Sequence, residues 1–168
     1  MLLDLPVHNV IKSNIITTEG VQKRDGQHLA WLASKLPAGA TVLEIGSHVG
    51  RSASFILSGL NSGRMFCIDP WPKLEYALMF ADNIRGMGWW DRVTPIRAKS
   101  WDIAPQWGIE LDMLYIDGDH SYEGCKKDYD LYLPFVKPGG IVAIHDYHPT
   151  MKYCAHVRKF VDEEVRIE

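Results

Sequence analysis

Five short apolar runs, separated by stretches long enough for helices, constrain the fold of this chain more than any other feature. The runs are rich in β-branched and aromatic residues, and they read TVLEI (41–45), RMFCID (64–69), RVTPIRA (92–98), LDMLYID (111–117) and GIVAIHD (140–146). Strands that alternate with helices at this spacing indicate a parallel sheet covered on both faces. We therefore predict an α/β fold with a doubly wound, mostly parallel sheet.

The stretches between these runs carry helical patterns. In the first of them, Leu29, Leu32 and Leu36 fall on one helical face, and Pro37 then ends the pattern. The helices predicted in this way cover 22–36, 52–60, 74–85, 122–135 and 151–165. The charged run KKDYD at 126–130 is interpreted as the solvent-exposed face of its helix.

Composition and charge narrow the class of protein. With 168 residues, 46% hydrophobic and 23% charged, the chain suits one globular domain. We predict a single domain over 1–168, with an N-terminal extension at 1–20 and a core at 21–168. A net charge of −3 gives no electrostatic reason to expect nucleic acid or an anionic membrane as a partner. Small-molecule ligands are expected instead.

The cysteines and the hydropathy pattern bear on location. The three cysteines, Cys67, Cys125 and Cys154, form no C-x-x-C pair and are odd in number, so we interpret them as reduced packing residues. The sequence has no apolar run that approaches the length of a membrane span. A cytoplasmic protein is expected.

Acidic residues stand at four of the five predicted strand ends. They are Glu44, Asp69, Asp117 and Asp146. In open parallel sheets, ligands bind outside the carboxyl ends of the strands, where the strand order reverses. An acidic site of this kind suits hydroxyls, ammonium groups or metal ions better than it suits pyrophosphate.

The run VLEIGSHVGRS at 42–52 has the strand, turn and helix context of a nucleotide site. Its spacing gives neither the dinucleotide pattern G-x-G-x-x-G nor a P-loop; it gives E-x-G-x-x-x-G from Glu44 through Gly46 to Gly50. Asp69 lies 23 positions after Gly46, about where an acidic residue meets a ribose diol. The alternatives are a plain tight turn for the glycines and a helix N-cap for Asp69. Together these residues favour a nucleoside site without phosphate recognition.

The two remaining acidic strand ends, at Asp117 and Asp146, indicate a second cluster. If Asp117 and Asp146 lie on adjacent strands, the carboxylates would repel each other unless a cation, a proton or a positive substrate lay between them. His145 could complete that cluster or simply hydrogen-bond within it. His120, three residues after Asp117, could act as a general base on a metal-bound hydroxyl. The alternative interpretation of 117–120 is a turn without a functional role, because turns favour Asp and Gly.

Four stretches together resemble the class I S-adenosylmethionine-dependent methyltransferases. They read VLEIGSHVGRS, CIDPW, LDMLYIDGDHSYEGCKKDYDLYLPFVKPGGIVAIHDY and HVRKFVDE, and the resemblance runs from about Glu19 to Asp162. Within that family they are most similar to the small-molecule O-methyltransferase group that includes macrolide-sugar and rhamnosyl methyltransferases and cephalosporin-hydroxylase-like proteins. The resemblance implies a Rossmann-like fold and S-adenosylmethionine as cofactor.

The resemblance also implies roles for individual residues. The first turn would hold the methionine end of the cofactor, through Glu44, Gly46, Ser47, Gly50 and Ser52. Asp69 matches the position that takes the ribose hydroxyls, and the segment beside the adenine is matched by Ala98, Lys99, Ser100 and Trp101. Asp117 is assigned both to the cofactor and, with His145 and Asp146, to a divalent cation, Mg²⁺ or Mn²⁺. His120 matches the proposed base. The macrolide-sugar relatives carry a carboxylate where this chain has His145.

One departure from the family pattern concerns the end of the sheet. The fold usually has two further strands after the last helix, and this chain stops at VRIE. We expect the sheet edge left open in this way to favour a homodimer. The predicted function is methyl transfer from S-adenosylmethionine to a hydroxyl of a small molecule, with a sugar as one candidate, assisted by a divalent metal. The alternative is a non-catalytic S-adenosylmethionine-binding subunit with an assembly or regulatory role.

Overall fold

All six described strands run parallel in one sheet. In the computed structural model, which describes residues 9–12, 23–148 and 150–165, the strands are β1 (Asn9–Lys12), β2 (Ala40–Ile45), β3 (Gly63–Asp69), β4 (Val93–Arg97), β5 (Leu111–Ile116) and β6 (Val136–Ile144). The α-helices are α1 (Lys23–Ala33), α2 (Arg51–Gly59), α3 (Leu74–Gly86), α4 (Ser100–Ile103), α5 (Tyr122–Tyr132) and α6 (Ala155–Glu164). Short 3₁₀ turns lie at Trp90–Arg92, Ala104–Gln106, Leu133–Phe135 and Lys152–Cys154.

The strand order is β1-β6-β5-β2-β3-β4. From β2 the chain builds outward through β3 to β4, and then returns to the other side of β2 to add β5 and β6. The order therefore reverses between β2 and β5, and the carboxyl ends of these two strands flank the expected ligand crevice. The doubly wound parallel sheet is confirmed, and each of the five predicted strands is present.

The sheet edge beside β6 differs from the expectation. We expected this edge to be open, but β1 pairs with β6 in parallel, with Asn9 opposite Ile141 and Lys12 opposite Ile144. The expectation failed because β1 is four residues long and lies within the segment that we assigned to the N-terminal extension. The other residues of that extension, 1–8 and 13–20, lie outside the described residues.

Hydrophobic clusters cover both faces of the sheet. Successive residues of a strand point to opposite faces, so Val42 belongs to one cluster and Leu43 to the other. Helices α1, α2 and α3 contribute to the first cluster, and α5 and α6 contribute to the second. Burial on both faces explains why the strands are almost continuously apolar. None of the described helices is both long and apolar enough to span a membrane.

Candidate functional site

A cavity of about 430 Å³ opens at the carboxyl ends of β2, β3 and β5, at the point where the strand order reverses. Seven of the residues that we predicted to bind the cofactor line it: Gly46, Asp69, Asp117 and the four residues Ala98, Lys99, Ser100 and Trp101. Four separate stretches of sequence therefore meet around one space. The cavity also has wall residues that the sequence did not single out for binding, among them His48, Asp119 and Asp128.

Gly46 brings the first turn close to the end of β5. Its backbone has φ of 93°, in the left-handed region that favours glycine, and its N–H donates a 2.8 Å hydrogen bond to the carbonyl of Ile68. A side-chain carbon at this position would collide with the backbone of Asp117. The turn can pack against Asp117 and line the cavity only because residue 46 is glycine.

The other residues that we predicted in the first turn lie behind the cavity wall. Glu44 and Ser52 are buried, and the Ser52 hydroxyl donates a 2.5 Å hydrogen bond to Glu44 Oε1. Burial raises the pKa of Glu44 to about 7, although hydrogen bonds from Ser47 and Ser52 act in the opposite direction. Glu44, Ser47, Gly50 and Ser52 are not among the cavity-lining residues. Their contact with a cofactor stays a prediction.

Asp69 fixes the loop that follows β3 and also faces the cavity. Its Oδ2 accepts a 2.9 Å hydrogen bond from the N–H of His48, and its Oδ1 accepts one of 2.6 Å from the N–H of Trp71. Each carboxylate oxygen can accept more than one hydrogen bond, so capacity for two neighbouring hydroxyls is left. The N-cap alternative is wrong, because α3 begins at Leu74 and Lys73 occupies its N-cap position.

Asp128 is a wall residue that the sequence analysis misassigned. We interpreted KKDYD as solvent-exposed, and Lys127 and Asp130 are exposed, but Asp128 is 2% exposed. Its Oδ1 accepts a hydrogen bond from the Ser100 hydroxyl. A signal was available in the spacing: Cys125, Asp128 and Tyr132 fall three and four residues apart, and all three are buried on one face of α5.

The structure brings the predicted base and metal ligands into a second cluster next to the cavity. His120 Nε2 lies 3.3 Å from Asp117 Oδ1, and His120 Nδ1 lies 3.0 Å from Asp146 Oδ2. His145 Nδ1 lies 3.0 Å from Asp117 Oδ1 and 3.2 Å from Asp146 Oδ1. Each imidazole thus contacts both carboxylates. Of the four side chains, His120 is the most exposed, at 47%.

These contacts set the charges of the cluster. Hydrogen bonds to Asp117 and Asp146 raise the pKa of His120 to about 10, against the opposite effect of burial. Burial alone would raise the pKa values of Asp117 and Asp146. Hydrogen bonds from both histidines to Asp117, and a hydrogen bond from His120 with the charge of His145 at Asp146, hold both values below the usual range. At neutral pH the carboxylates are therefore ionised and His120 carries a proton.

The predicted metal site is not supported by this arrangement. Carboxylate and imidazole are suitable ligand types for Mn²⁺ or another transition ion. In the described parts of the chain, however, no group of three or more His, Cys, Asp or Glu residues is placed so that it could hold a metal ion. Both ring nitrogens of His120 and Nδ1 of His145 lie 3.0–3.3 Å from the carboxylate oxygens that a cation would use. As found, the carboxylates are paired with imidazoles.

Solved structures, two of them O-methyltransferases, have the same fold. A Corynebacterium glutamicum protein of solved structure aligns with a TM-score of 0.73 at 21% identity, covering 89% of this chain and 74% of its own. The O-methyltransferase TomG from Streptomyces achromogenes, in complex with SAM, gives a TM-score of 0.68 at 22% identity, covering 84% of this chain and 68% of its own. The O-methyltransferase from Bacillus cereus, in complex with SAH (S-adenosylhomocysteine), gives a TM-score of 0.67 at 21% identity, covering 89% of this chain and 70% of its own.

Curated relatives are similar in sequence but carry no assigned activity. An uncharacterized protein of Sinorhizobium fredii is 27% identical over an alignment of 135 positions that covers 73% of this chain and 15% of that protein. An uncharacterized protein of Acanthamoeba polyphaga mimivirus is 29% identical over an alignment of 119 positions that covers 64% of this chain and 51% of that protein. The chain thus spans about half the length, or less, of these relatives.

A family model described as a methyltransferase domain matches residues 43–147. That range begins in β2, before the glycine turn, and ends just after the Asp117–Asp146 cluster, so it includes both parts of the site. The match covers more than half of the sequence. With the parallel sheet and the cavity at its switch point, it identifies this chain as a member of the methyltransferase-domain family.

Proposed function

We propose that the chain is an S-adenosylmethionine-dependent O-methyltransferase that methylates a hydroxyl of a small molecule, with a sugar as one candidate acceptor. The observation that carries the proposal is the cavity at the switch point, where Gly46, Asp69 and the segment 98–101 meet. This combination suits a nucleoside that carries no phosphate. S-adenosylmethionine is such a nucleoside, and it is the ligand of the TomG structure.

The cavity offers complementary groups for each part of that cofactor. Asp69 retains acceptor capacity for the two ribose hydroxyls, because its backbone hydrogen bonds use one lone pair of each oxygen. The segment 98–101 would lie beside the adenine. Gly46 lets the ligand approach the backbone of the first turn. When bound, the cofactor supplies an electrophilic methyl group, and the protein supplies alignment and a base.

His120 is the proposed base, because it lies beside Asp117 at the cavity and is accessible to a second substrate. Its raised pKa means that it is protonated at neutral pH while Asp117 and Asp146 both contact it. A protonated imidazole cannot accept a proton from the acceptor hydroxyl. The proposal therefore requires that binding of substrate draws the carboxylates away from His120, which would lower its pKa toward the usual value.

Dependence on Mg²⁺ or Mn²⁺ is a separate proposal, and its support is the ligand chemistry of Asp117, Asp146 and His145 alone. Assays in chelator and with added cation test it. If a cation binds, Asp146→Asn should lower the activity and excess cation should partly restore it. Full activity in chelator, with no response to added cation, would reject the metal. His120 would then act without one.

The decisive experiment is a screen of hydroxyl compounds with S-adenosylmethionine that is isotopically labelled in the methyl group, run with and without divalent metal. Label recovered in an acceptor would establish the enzyme class and the substrate together.

The second candidate is a non-catalytic subunit that binds S-adenosylmethionine for assembly or regulation. The fold can serve that role equally well, since one fold hosts many functions. Tight cofactor binding without turnover on any acceptor would favour it.

Two further proposals concern the surroundings of the protein. We propose a homodimer. The sheet edge beside β6 no longer supports it, because β1 occupies that edge. Its support is the group of exposed apolar side chains on α3, Leu74, Leu78 and Met79. Sedimentation that shows only monomer up to high micromolar concentration would reject it.

A cytoplasmic location is proposed because Cys67, Cys125 and Cys154 are all free and buried thiols.

A further inference from the structure

The cavity wall beside Ser100 contains a buried carboxylate that the proposed chemistry leaves without a role. Asp128 lines the cavity although it is only 2% exposed. Its Oδ1 accepts a hydrogen bond from the Ser100 hydroxyl. Its other oxygen, Oδ2, lies against Gly118, since a carbon placed on that glycine would be 3.2 Å from it. Gly118 and Asp128 both line the cavity, so this carboxylate forms part of the wall that a ligand would meet.

The neighbouring polar groups on this wall are mostly donors. The ammonium of Lys99 and the indole N–H of Trp101 can donate hydrogen bonds but cannot accept them. Lys99 Nζ lies 5.3 Å from the centre of the Trp101 ring, and Lys127 Nζ lies 4.1 Å from it. Asp119 is exposed, and its Oδ1 accepts a 2.9 Å hydrogen bond from the N–H of Ser121. Asp128, on α5, therefore places a buried carboxylate acceptor beside the part of the wall formed by 98–101.

Burial of this carboxylate is unfavourable unless it is given donors. Burial raises the pKa of Asp128 to about 6, even though the hydrogen bond from Ser100 lowers it. A buried ionised group is stabilised by each further hydrogen bond that it accepts. A ligand with an N–H donor at this end of the cavity would supply one. A ligand with a carbonyl there would place two acceptors against each other.

We propose that Asp128 accepts a hydrogen bond from the exocyclic amino group of the cofactor's adenine, so that it determines which base the cavity takes. The inference rests on the proposed function, because adenine enters the cavity only if the cofactor is S-adenosylmethionine. It extends that function to a residue on α5, which the first turn and the strand ends do not include. The Ser100 hydroxyl positions the Asp128 carboxylate by donating a hydrogen bond to Oδ1.

Calorimetry with two ligands tests the inference. The first is S-adenosylhomocysteine, and the second is its 6-oxo analogue, in which hypoxanthine replaces adenine. The wild-type protein should bind the analogue more weakly by roughly 10- to 100-fold, the usual effect of losing one hydrogen bond to a charged group. In Asp128→Asn the amide can present its NH₂ to the 6-oxo group, so the ratio of the two dissociation constants should fall to near one or invert.

The ratio separates recognition from support of the fold. A purely structural loss in Asp128→Asn would weaken both ligands equally and leave the ratio unchanged. Asp130→Asn, on the exposed face of the same helix, is the matched control and should keep the wild-type ratio. If S-adenosylhomocysteine binds and the ratio in Asp128→Asn equals that of the wild type, the inference is overturned. If the wild-type protein binds neither ligand, the proposed function itself fails and the inference falls with it.

Discussion

The two parts of the site are held in place by different forces. Around the cavity, Gly46 and Asp69 are fixed through backbone hydrogen bonds and close backbone packing. In the neighbouring cluster, Asp117, His120 and Asp146 are held by charged side chains that contact one another. The hydrogen bonds that hold the first arrangement lie within the protein, so we expect it to form without a ligand. The second can exchange its partners when a substrate or a cation arrives.

This difference follows from the physics of burial. A backbone turn satisfies its own donors and acceptors, so a cavity can form around it without a ligand. Buried carboxylates need opposite charges nearby, and here the imidazoles provide them. We propose that the cavity is the preformed part of the site, because the backbone builds it, and that the proposed catalytic cluster has to exchange contacts when a substrate binds.

The largest effect is expected from His120→Ala. Loss of a positioned general base should slow methyl transfer by roughly 10²- to 10⁴-fold. The affinity for S-adenosylhomocysteine should stay nearly intact, because His120 is not among the residues that line the cavity. His156→Ala, at an exposed position of α6, is the matched control and should keep full activity. An unchanged rate in His120→Ala would remove this residue from the mechanism.

Gly46→Ala should break the preformed part. The added carbon would collide with the backbone of Asp117 at a residue whose φ is already 93°. We expect the free energy of unfolding to fall by roughly 3 kcal/mol or more and cofactor binding to be lost. Gly39→Ala is a control that introduces backbone strain without a steric collision, because Gly39 has φ of 77° but nothing lies within 4 Å of an added carbon. It should cost only about 1 kcal/mol. Equal losses in denaturant unfolding of the two variants would refute the close packing.

Asp69→Ala should weaken binding of S-adenosylhomocysteine by roughly 1.5–3 kcal/mol, through loss of charge-assisted hydrogen bonds to the ribose. The substitution also removes the acceptor for His48 and Trp71, so the loop itself could respond. A deoxyribose analogue of the ligand distinguishes the two effects in calorimetry. If Asp69 binds the ribose, its replacement should affect the analogue less than the parent ligand. Equal losses for both ligands would assign Asp69 to the loop alone.

Glu44→Gln should change how stability depends on pH. The pKa of Glu44 is raised from 4.5 to about 7 in the folded protein, so between these values the folded state holds a proton that the unfolded state has released. This group therefore lowers the free energy of unfolding as pH rises from about 4.5 to 7, by on the order of 2 kcal/mol. Unfolding in denaturant at both ends of that range should show a flatter profile in Glu44→Gln. The exposed substitution Glu75→Gln should leave the slope as it is. An unaltered slope in Glu44→Gln would contradict the shifted pKa.

The sequence predicted the preformed part better than the charged part, for a physical reason. Strand periodicity and the spacing of glycine and aspartate follow from backbone geometry, which a sequence displays directly. The strands that end near Gly46 and Asp69 could be located in this way, and with them most of the cavity wall. Family resemblance added the segment 98–101, which has no strong pattern of its own.

What the sequence did not show depends on side-chain packing in three dimensions. Asp128 looked like one charge among several in KKDYD. Its spacing from Cys125 and Tyr132 indicates the buried face of α5, but only the packing of that helix shows that this face borders the cavity. The direction in which His120 and His145 point depends on carboxylates from two strands, so a metal site and a closed ionic cluster have the same sequence pattern. β1 is too short to predict alone, and its partner β6 follows more than a hundred residues later.

The most direct test of the account is calorimetric titration of the wild-type protein with S-adenosylhomocysteine, with NAD as the comparison ligand. A cavity preformed for a nucleoside without phosphates should bind one S-adenosylhomocysteine per chain saturably and without added metal, and should show no binding of NAD. Tight binding of NAD together with no binding of S-adenosylhomocysteine would contradict the assignment of the cavity and the function proposed from it.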